Sequence, residues 1–503
     1  MIIIAEQYHD QTSYERLGMS GHLLDWENQP QVYKSYPGVT PFKMTRNAPL
    51  QEIKLSELLK QVKTPGSSPP PITLSELSLL FHLTCCLTAK SRQGGGEFYF
   101  RSVASAGALY PVEIYAALRG VSGLEDGLYH FSILHHGLNL LRNGDPSMPV
   151  VNPQGPAQPE AAVLAFFFSA IFFRSAWKYR ERAYRYHLLD TGHLVEHLLL
   201  AAAALHLPLT FSYDFDDDRV NHFLGVDEAQ EAALALCSTN RVFAAGAWPE
   251  TMEALPEKMK MAGRVSDREI GYDAVNQMHQ AGQRIVSGAA SNIRMIDALG
   301  VTADQWTPME TLEEWPEKMS YARSVCTRRS RRNFIREPLK KSQMAALLEG
   351  LCADEIPASA LPAPYHPALC TGFITENIDG FDPGFYLLDA FSKSSGRIAS
   401  GHFLGKMARI CLDQAWLANA SVHFLFMTNL ARLERLWGPR GYRYAMMHAG
   451  RMGARLYLCA TAMGIGACGI GAFYDAEASG LLGLNGQSRL LYLVSLGQVR
   501  GLE

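Results

Sequence analysis

YRYHLLDTGHLVEHLLLAAAALHLPLTFSYDFDDDRVNHFLGVD, residues 184–227, aligns without a gap with YRYAMMHAGRMGARLYLCATAMGIGACGIGAFYDAEASGLLGLN, residues 442–485. The offset of 258 residues pairs Arg185 with Arg443, Gly192 with Gly450, Phe215 with Phe473, Asp217 with Asp475 and Gly225 with Gly483. A period this long marks duplicated domains, because solenoid repeats are far shorter. Outward from these blocks the copies diverge where chemistry would be expected. Copy one carries RSVASAGALYP (101–111), where copy two has ASALPAPYHP (358–367). Copy two carries RRSRRNF (328–334) and GIGACGIGAF (464–473), where copy one has QVKTPGS (61–67) and HLPLTFSYDF (206–215). Fusion of a two-fold dimer, followed by decay of one of its two equivalent sites, leaves this pattern.

The 503 residues are 48% hydrophobic and 19% charged, an ordinary globular composition with room for two or three domains. A net charge of −3 provides no basic field for nucleic acid and no polybasic membrane patch. The nine cysteines include no CxxC, so reduced thiols in a cytoplasmic protein are expected. The start, MIIIAEQYHD, lacks a basic segment and a cleavage site, which argues against secretion. AAVLAFFFSAIFF (161–173) is too short to span a bilayer as a helix and reads as a buried strand.

The organisation expected is an arm over 1–45, a first domain over 46–250, a helical connector over 251–315 and a second domain over 316–503. VEIYAALRGV (112–121) and GLYHFSI (127–133) read as strands, and LVEHLLLAAAALHL (194–207) as a central buried helix. Strands and helices interleave, yet no strand runs through a tight glycine turn into a helix. The fold class is therefore α+β, not doubly wound α/β.

Four arginines and a serine fall within five residues of RRSRRNF, just ahead of the amphipathic stretch PLKKSQMAALLEGL. Guanidinium forks of this density suit a phosphate group; a solvated basic turn is the plainer alternative. The small residues of SVASAGALYP let backbone lie flat beside a planar ligand, or let two segments cross closely. GIGACGIG contains GxGxxG (Gly464, Gly466, Gly469), but a helix precedes it, so it reads as a helix C-cap passing into a loop and not as a dinucleotide fingerprint. His187, Asp190, His193 and His197 could share a helix face, but copy two has His448, Arg451 and Arg455 at the last three places, and no metal is expected. Lys178-Tyr179 are replaced by Leu436-Trp437, while Arg174/Arg432 and Arg182/Arg440 persist. An amine and a phenol lost together suit a proton-transfer pair, with a drifting surface pair as the alternative.

Taken together, the arm YHDQTSYERLG…LDWENQPQVYKSYPG, RSVASAGALYP, AWKYRERAYRY and GIGACGIGAF resemble the nitroreductase-like flavoproteins, and within them the SagB-type dehydrogenases in tandem form. The resemblance implies two FMN-dependent domains forming an intramolecular pseudo-dimer, compatible with a monomeric chain. It implies that Arg328, Arg329, Ser330 and Arg332 hold the FMN phosphate, with Arg500 as a second contact. Gly469, Gly471 and Ala472 would meet the flavin, and Ser105, Ala106, Gly107 and Ala108 would line its other side. Lys178 and Tyr179 would move the proton. The implied activity is hydride transfer to flavin from a small or peptide-borne heterocycle. An NAD(P)H-dependent nitro- or quinone reductase and a non-catalytic flavin-binding protein are the alternatives.

Overall fold

The computed structural model describes residues 4–18, 21, 23–46, 52–60, 72–93, 96–144, 163–239, 253–285, 294–353 and 368–501. QVKTPGS (61–67) and ASALPAPYHP (358–367) lie outside them. The chain forms two units, each discontinuous in sequence: residues 23–51 with 63–285, and residues 1–22, 52–62 and 286–503.

The strands of the first unit are β1 (Phe42–Lys43), β2 (Leu87–Gln93), β3 (Gly96–Arg101), β4 (Val112–Arg119), β5 (Gly127–Ser132), β6 (Gly137–Asn143), β7 (Val163–Ile171), β8 (Thr210–Ser212) and β9 (Glu231–Ser238). β2 and β3 form a separate hairpin; the other seven make an antiparallel sheet in the order β1-β6-β5-β4-β7-β9-β8. The second unit has β10 (Trp306–Pro308), β11 (Cys370–Thr375), β12 (Gly384–Asp389), β13 (Ser394–Ser400), β14 (Val422–Asn429), β15 (Gly466–Ile470) and β16 (Ser488–Gly497). Their order, β10-β13-β12-β11-β14-β16-β15, repeats the first sheet strand for strand. With helices packed on each sheet, this is the expected α+β fold in tandem. Leu164–Ile171 and the whole of β14 are buried, which explains why AAVLAFFFSAIFF lacks the alternation of a half-exposed strand. Among the described residues no helix is long and apolar enough to cross a membrane.

The helices Ala183–Ala204 and Gly441–Ala462 have the same length and begin 258 residues apart. All but one residue of each is buried, as helices apolar on most faces require. Each ends in a left-handed residue, Gly464 (φ 71) in the second copy but His206 (φ 55) in the first. The next residue closes the turn, Ile465 N–H to the Ala460 carbonyl at 2.9 Å and Leu207 N–H to the Ala202 carbonyl at 2.8 Å. The same holds where Arg180 (φ 49) stands for Gly438 (φ 61). The shared fold thus demands a left-handed backbone at both places, and the first copy meets it without glycine. Beyond Gly464 the expected loop is instead the edge strand β15, paired with β16.

The repeat extends beyond the aligned blocks. In the second unit His9 Nδ1 lies 3.1 Å from the Tyr442 hydroxyl; in the first, His279 Nδ1 lies 3.3 Å from that of Tyr184, the equivalent tyrosine. The helix Ile4–Gln11 therefore plays in one unit the part that Asp273–Ala281 plays in the other. β1 and β10 are matched in the same way. The stretch expected as a helical connector contains short helices at Glu257–Lys260 and Asp273–Ala281 and the strand β10.

Candidate functional site

In the first unit, residues distant in sequence converge on the loop after β3. Ser105 Oγ donates to Asp190 Oδ2 at 2.5 Å, the Ala106 N–H approaches Asp190 Oδ1 at 3.3 Å, and the Tyr110 N–H donates to Ser105 Oγ at 2.9 Å. Gly107, Ala108 and Tyr110 all have left-handed backbone, with φ of 64, 55 and 48. Side-chain-bearing residues adopt this region at a cost, so a loop of this shape persists only where its surroundings over-determine it. Besides Asp190, the constraints are the Arg101 N–H, which donates to the Tyr110 hydroxyl at 3.0 Å, and Arg174 Nη1, which donates to the Tyr110 carbonyl at 3.1 Å. Arg174 is held in turn by Glu113 at 2.5 Å. Burial pushes the Glu113 carboxyl upward, but Arg174 and His130 outweigh it and hold the group below the usual range.

Lys178 and Tyr179 end the helix Phe172–Tyr179, and both are half-buried. They meet the same loop. A Cβ on Gly107 would lie 2.7 Å from the Tyr179 hydroxyl and 3.3 Å from Lys178 Nζ. Glycine suits position 107 on both counts, its φ and the close approach of the amine and phenol. Burial pushes the Asp190 carboxyl up to about 7, against the hydrogen bonds from Ser105 and Ala106 and the charge of Arg101. Asp190 is thus committed to the loop. His187 Nε2 lies 3.2 Å from the Phe172 carbonyl oxygen, and burial pushes its imidazole down to about 3.

The second unit assembles the other motifs. The helix Tyr321–Thr327 ends at Arg328, and the turn that follows lies along the edge strand β15. Ser330 bridges Ala467, and the Arg331 N–H donates to the Ala467 carbonyl at 2.8 Å. The chain end closes over this turn, with Asn333 Nδ2 donating to the Arg500 carbonyl at 2.6 Å. Tyr457, buried on the long helix, joins the two motifs: its hydroxyl lies 2.9 Å from Ser330 Oγ and accepts the Gly469 N–H at 2.6 Å. The Arg328 guanidinium lies 5.3 Å from the Tyr457 ring centre. Burial pushes the Tyr457 phenol upward, with Arg328 opposing. Arg328 is buried, Arg329 half-buried, and Ser330, Arg332 and Arg500 exposed; Gly471 and Ala472 follow β15, half-buried.

Gly469 has a packing cause. A Cβ there would lie 1.8 Å from the Tyr492 hydroxyl. By strand register, Phe211 takes the place of Gly469 in the first copy and Ala235 that of Tyr492, so large and small have changed sides. Tyr457 and Asp190 carry roles that the motifs alone do not reveal. The signal was present in the alignment, where Leu199 and His448 occupy the equivalent positions.

The donor set fits a phosphate-bearing cofactor: several guanidiniums and a serine sit on one turn, beside a small-residue strand whose backbone a planar group could approach. Comparison with known proteins agrees with the duplicated fold. The nitroreductase family profile matches twice, over residues 67–238 and 325–498. The trifolitoxin-processing protein TfxB of Rhizobium leguminosarum bv. trifolii is 28% identical over 180 residues, 34% of this chain and 48% of that protein, so the match spans about half of that relative. A nitroreductase-family protein of Methanocaldococcus jannaschii is 28% identical over 183 residues, 36% of this chain and 88% of its own length. A crystal structure of a nitroreductase-family protein of Anabaena variabilis superposes with a TM-score of 0.75 at 24% identity, covering 99% of this chain and 100% of that one. Two matched segments, two sheets of one topology and a full-length structural counterpart place the chain in the nitroreductase family, as an oxidoreductase fold carried twice in tandem.

Proposed function

We propose that the protein is an FMN-dependent oxidoreductase of the SagB type, which dehydrogenates a small or peptide-borne five-membered heterocycle. The observation that carries this reading is the convergence of Lys178 Nζ and the Tyr179 hydroxyl on Gly107, in a loop held rigid by Asp190 and Arg174. When bound, FMN would supply a two-electron acceptor. Arg328, Arg329, Ser330 and Arg332 would hold its phosphate, with Arg500 beside them, and Gly469, Gly471 and Ala472 would offer backbone to its ring. Ser105, Ala106, Gly107 and Ala108 would form a wall without bulk. The complementary loss of motifs between copies supports one FMN per chain. Dehydrogenation of an azoline removes a hydride from one ring atom and a proton from its neighbour. Lys178 and Tyr179 would take that proton.

Lys178→Ala and Tyr179→Phe should retain FMN yet lose turnover by about 100-fold or more, the scale of general acid–base groups. Dithionite should reduce the flavin equally in all three proteins. If NAD(P)H reduces the flavin rapidly and the variants match the parent, the protein is a nitro- or quinone reductase instead, because a nicotinamide donor needs no base. The likeness to the trifolitoxin-processing protein supports the first reading, and that to the Methanocaldococcus jannaschii protein the reductase alternative.

A further inference from the structure

Trp26 is 66% exposed, although the arm that carries it is firmly anchored. Trp177 Nε1 donates to the Asp25 carbonyl at 2.8 Å, one residue before Trp26. Two residues after it, buried Asn28 donates through Nδ2 to the Arg268 carbonyl at 2.5 Å and accepts the Ser266 hydroxyl. The Gln31 N–H donates to the Val265 carbonyl at 2.8 Å. The residues on either side of Trp26 are thus held by hydrogen bonds, while its indole faces solvent. Its ring stands edge-on to Trp177, centroids 5.3 Å apart at 72°.

That position is linked to the reaction residues through Trp177. Trp177 immediately precedes Lys178 and Tyr179 on their helix, and Leu24 and Tyr179 pack against one cluster formed by Leu109, Ile171, Phe173, Trp177 and Val265. Tyr179 lies 4.5 Å from the Tyr186 ring, and Lys178 Nζ lies 5.5 Å from the Tyr179 ring. Trp26 thus meets, through Trp177, the apolar cluster against which Tyr179 also packs. Copy two lacks that pair as well as the arm segment LDWENQ, whose residues 24–29 belong to the first unit.

We propose that Trp26 is a specificity-determining residue, whose indole stacks on the planar unsaturated ring of the substrate beside Lys178 and Tyr179. The inference rests on the redox reading above, since that pair defines where the ring reacts. A flat π face at a fixed position selects planar rings over saturated ones of equal size, because offset stacking requires two flat partners. Anchoring of the backbone on either side of Trp26 also lowers the entropy cost of binding.

The test uses the flavin-loaded full chain and three probes: a peptide bearing a thiazole, 4-nitrobenzoate and menadione. Dissociation constants are measured by calorimetry for the parent, Trp26→Ala, Trp26→Phe and Trp306→Ala, an exposed tryptophan of the second unit. Whichever probe the parent binds should bind about 3–10-fold more weakly to Trp26→Ala, from loss of one aromatic pair. Trp26→Phe should recover most of this, and Trp306→Ala should match the parent. Equal constants for the parent and Trp26→Ala, or binding of none of the three probes, would overturn the proposal. Which substrate the parent turns over decides the functional reading separately: a thiazoline peptide left unoxidised rejects that reading, while a Trp26-dependent affinity for a nitroarene or quinone would leave the platform standing.

Discussion

Ser105 and Asp190, 85 residues apart, share a hydrogen bond of 2.5 Å that ties the small-residue loop after β3 to the long buried helix of the first unit. It fixes the loop against which Lys178 and Tyr179 rest. The second copy has a histidine, His448, at the position of Asp190.

Asp190→Ala should cost roughly 1–3 kcal/mol of stability, the penalty for leaving buried donors unsatisfied. Asp190→Asn keeps an acceptor for Ser105 and should cost less. The pH dependence has a definite sign. The folded-state value is raised from 3.8 to about 7, so between those values the folded chain holds a proton that the unfolded chain has released. The contribution of this group is then fully present below about pH 4 and lost as pH rises toward 7. Denaturant titrations from pH 4 to 8 should show that fall in the parent and a flatter curve in Asp190→Asn.

Tyr457→Phe removes the hydroxyl that joins Ser330 to the Gly469 N–H. Stability should drop by about 1–2 kcal/mol. Phosphate-bearing flavin should be weakened more than riboflavin, because the disturbed residues lie on the arginine turn. Fluorescence titration with the two flavins checks this.

Gly469→Ala should destabilise the second unit by about 1–3 kcal/mol through overpacking against Tyr492. In a Tyr492→Ala background the same change should be nearly neutral, since that pairing imitates the first copy. A double-mutant cycle read by thermal unfolding should give a coupling of that size; additive losses would contradict the packing account.

Much of this fold was legible because the chain carries its own comparison. Two helices of equal length follow from the alignment of residues 184–227 with 442–485, and buried strands from apolar runs such as Leu164–Ile171. The arginine turn and the glycine strand were legible as motifs, and the structure brings them together within one unit. Other features were hidden for physical reasons. β15 runs through glycines, which mark a turn more readily than a strand, and is defined only by its pairing with β16. The glycine at 469 answers to Tyr492, a residue on a neighbouring strand that no local pattern connects to it. The matching of helix Ile4–Gln11 with Asp273–Ala281 rests on a few positions, His9 and His279 among them, too sparse for sequence alone.

His206→Gly should stabilise the first unit by about 0.5–1 kcal/mol. His206 is exposed and holds φ 55 where the second copy has glycine, so relief of left-handed strain should exceed the added freedom of the unfolded chain. Thermal melts of the variant check the sign.

The complementary loss of motifs between the copies leads us to propose a single FMN per chain. Protein purified without added cofactor, denatured and assayed for released FMN against polypeptide, tests it most directly. One FMN per chain is expected, lost on replacing Arg328 together with Arg332. Two FMN per chain, or a yield unaffected by those replacements, would contradict it.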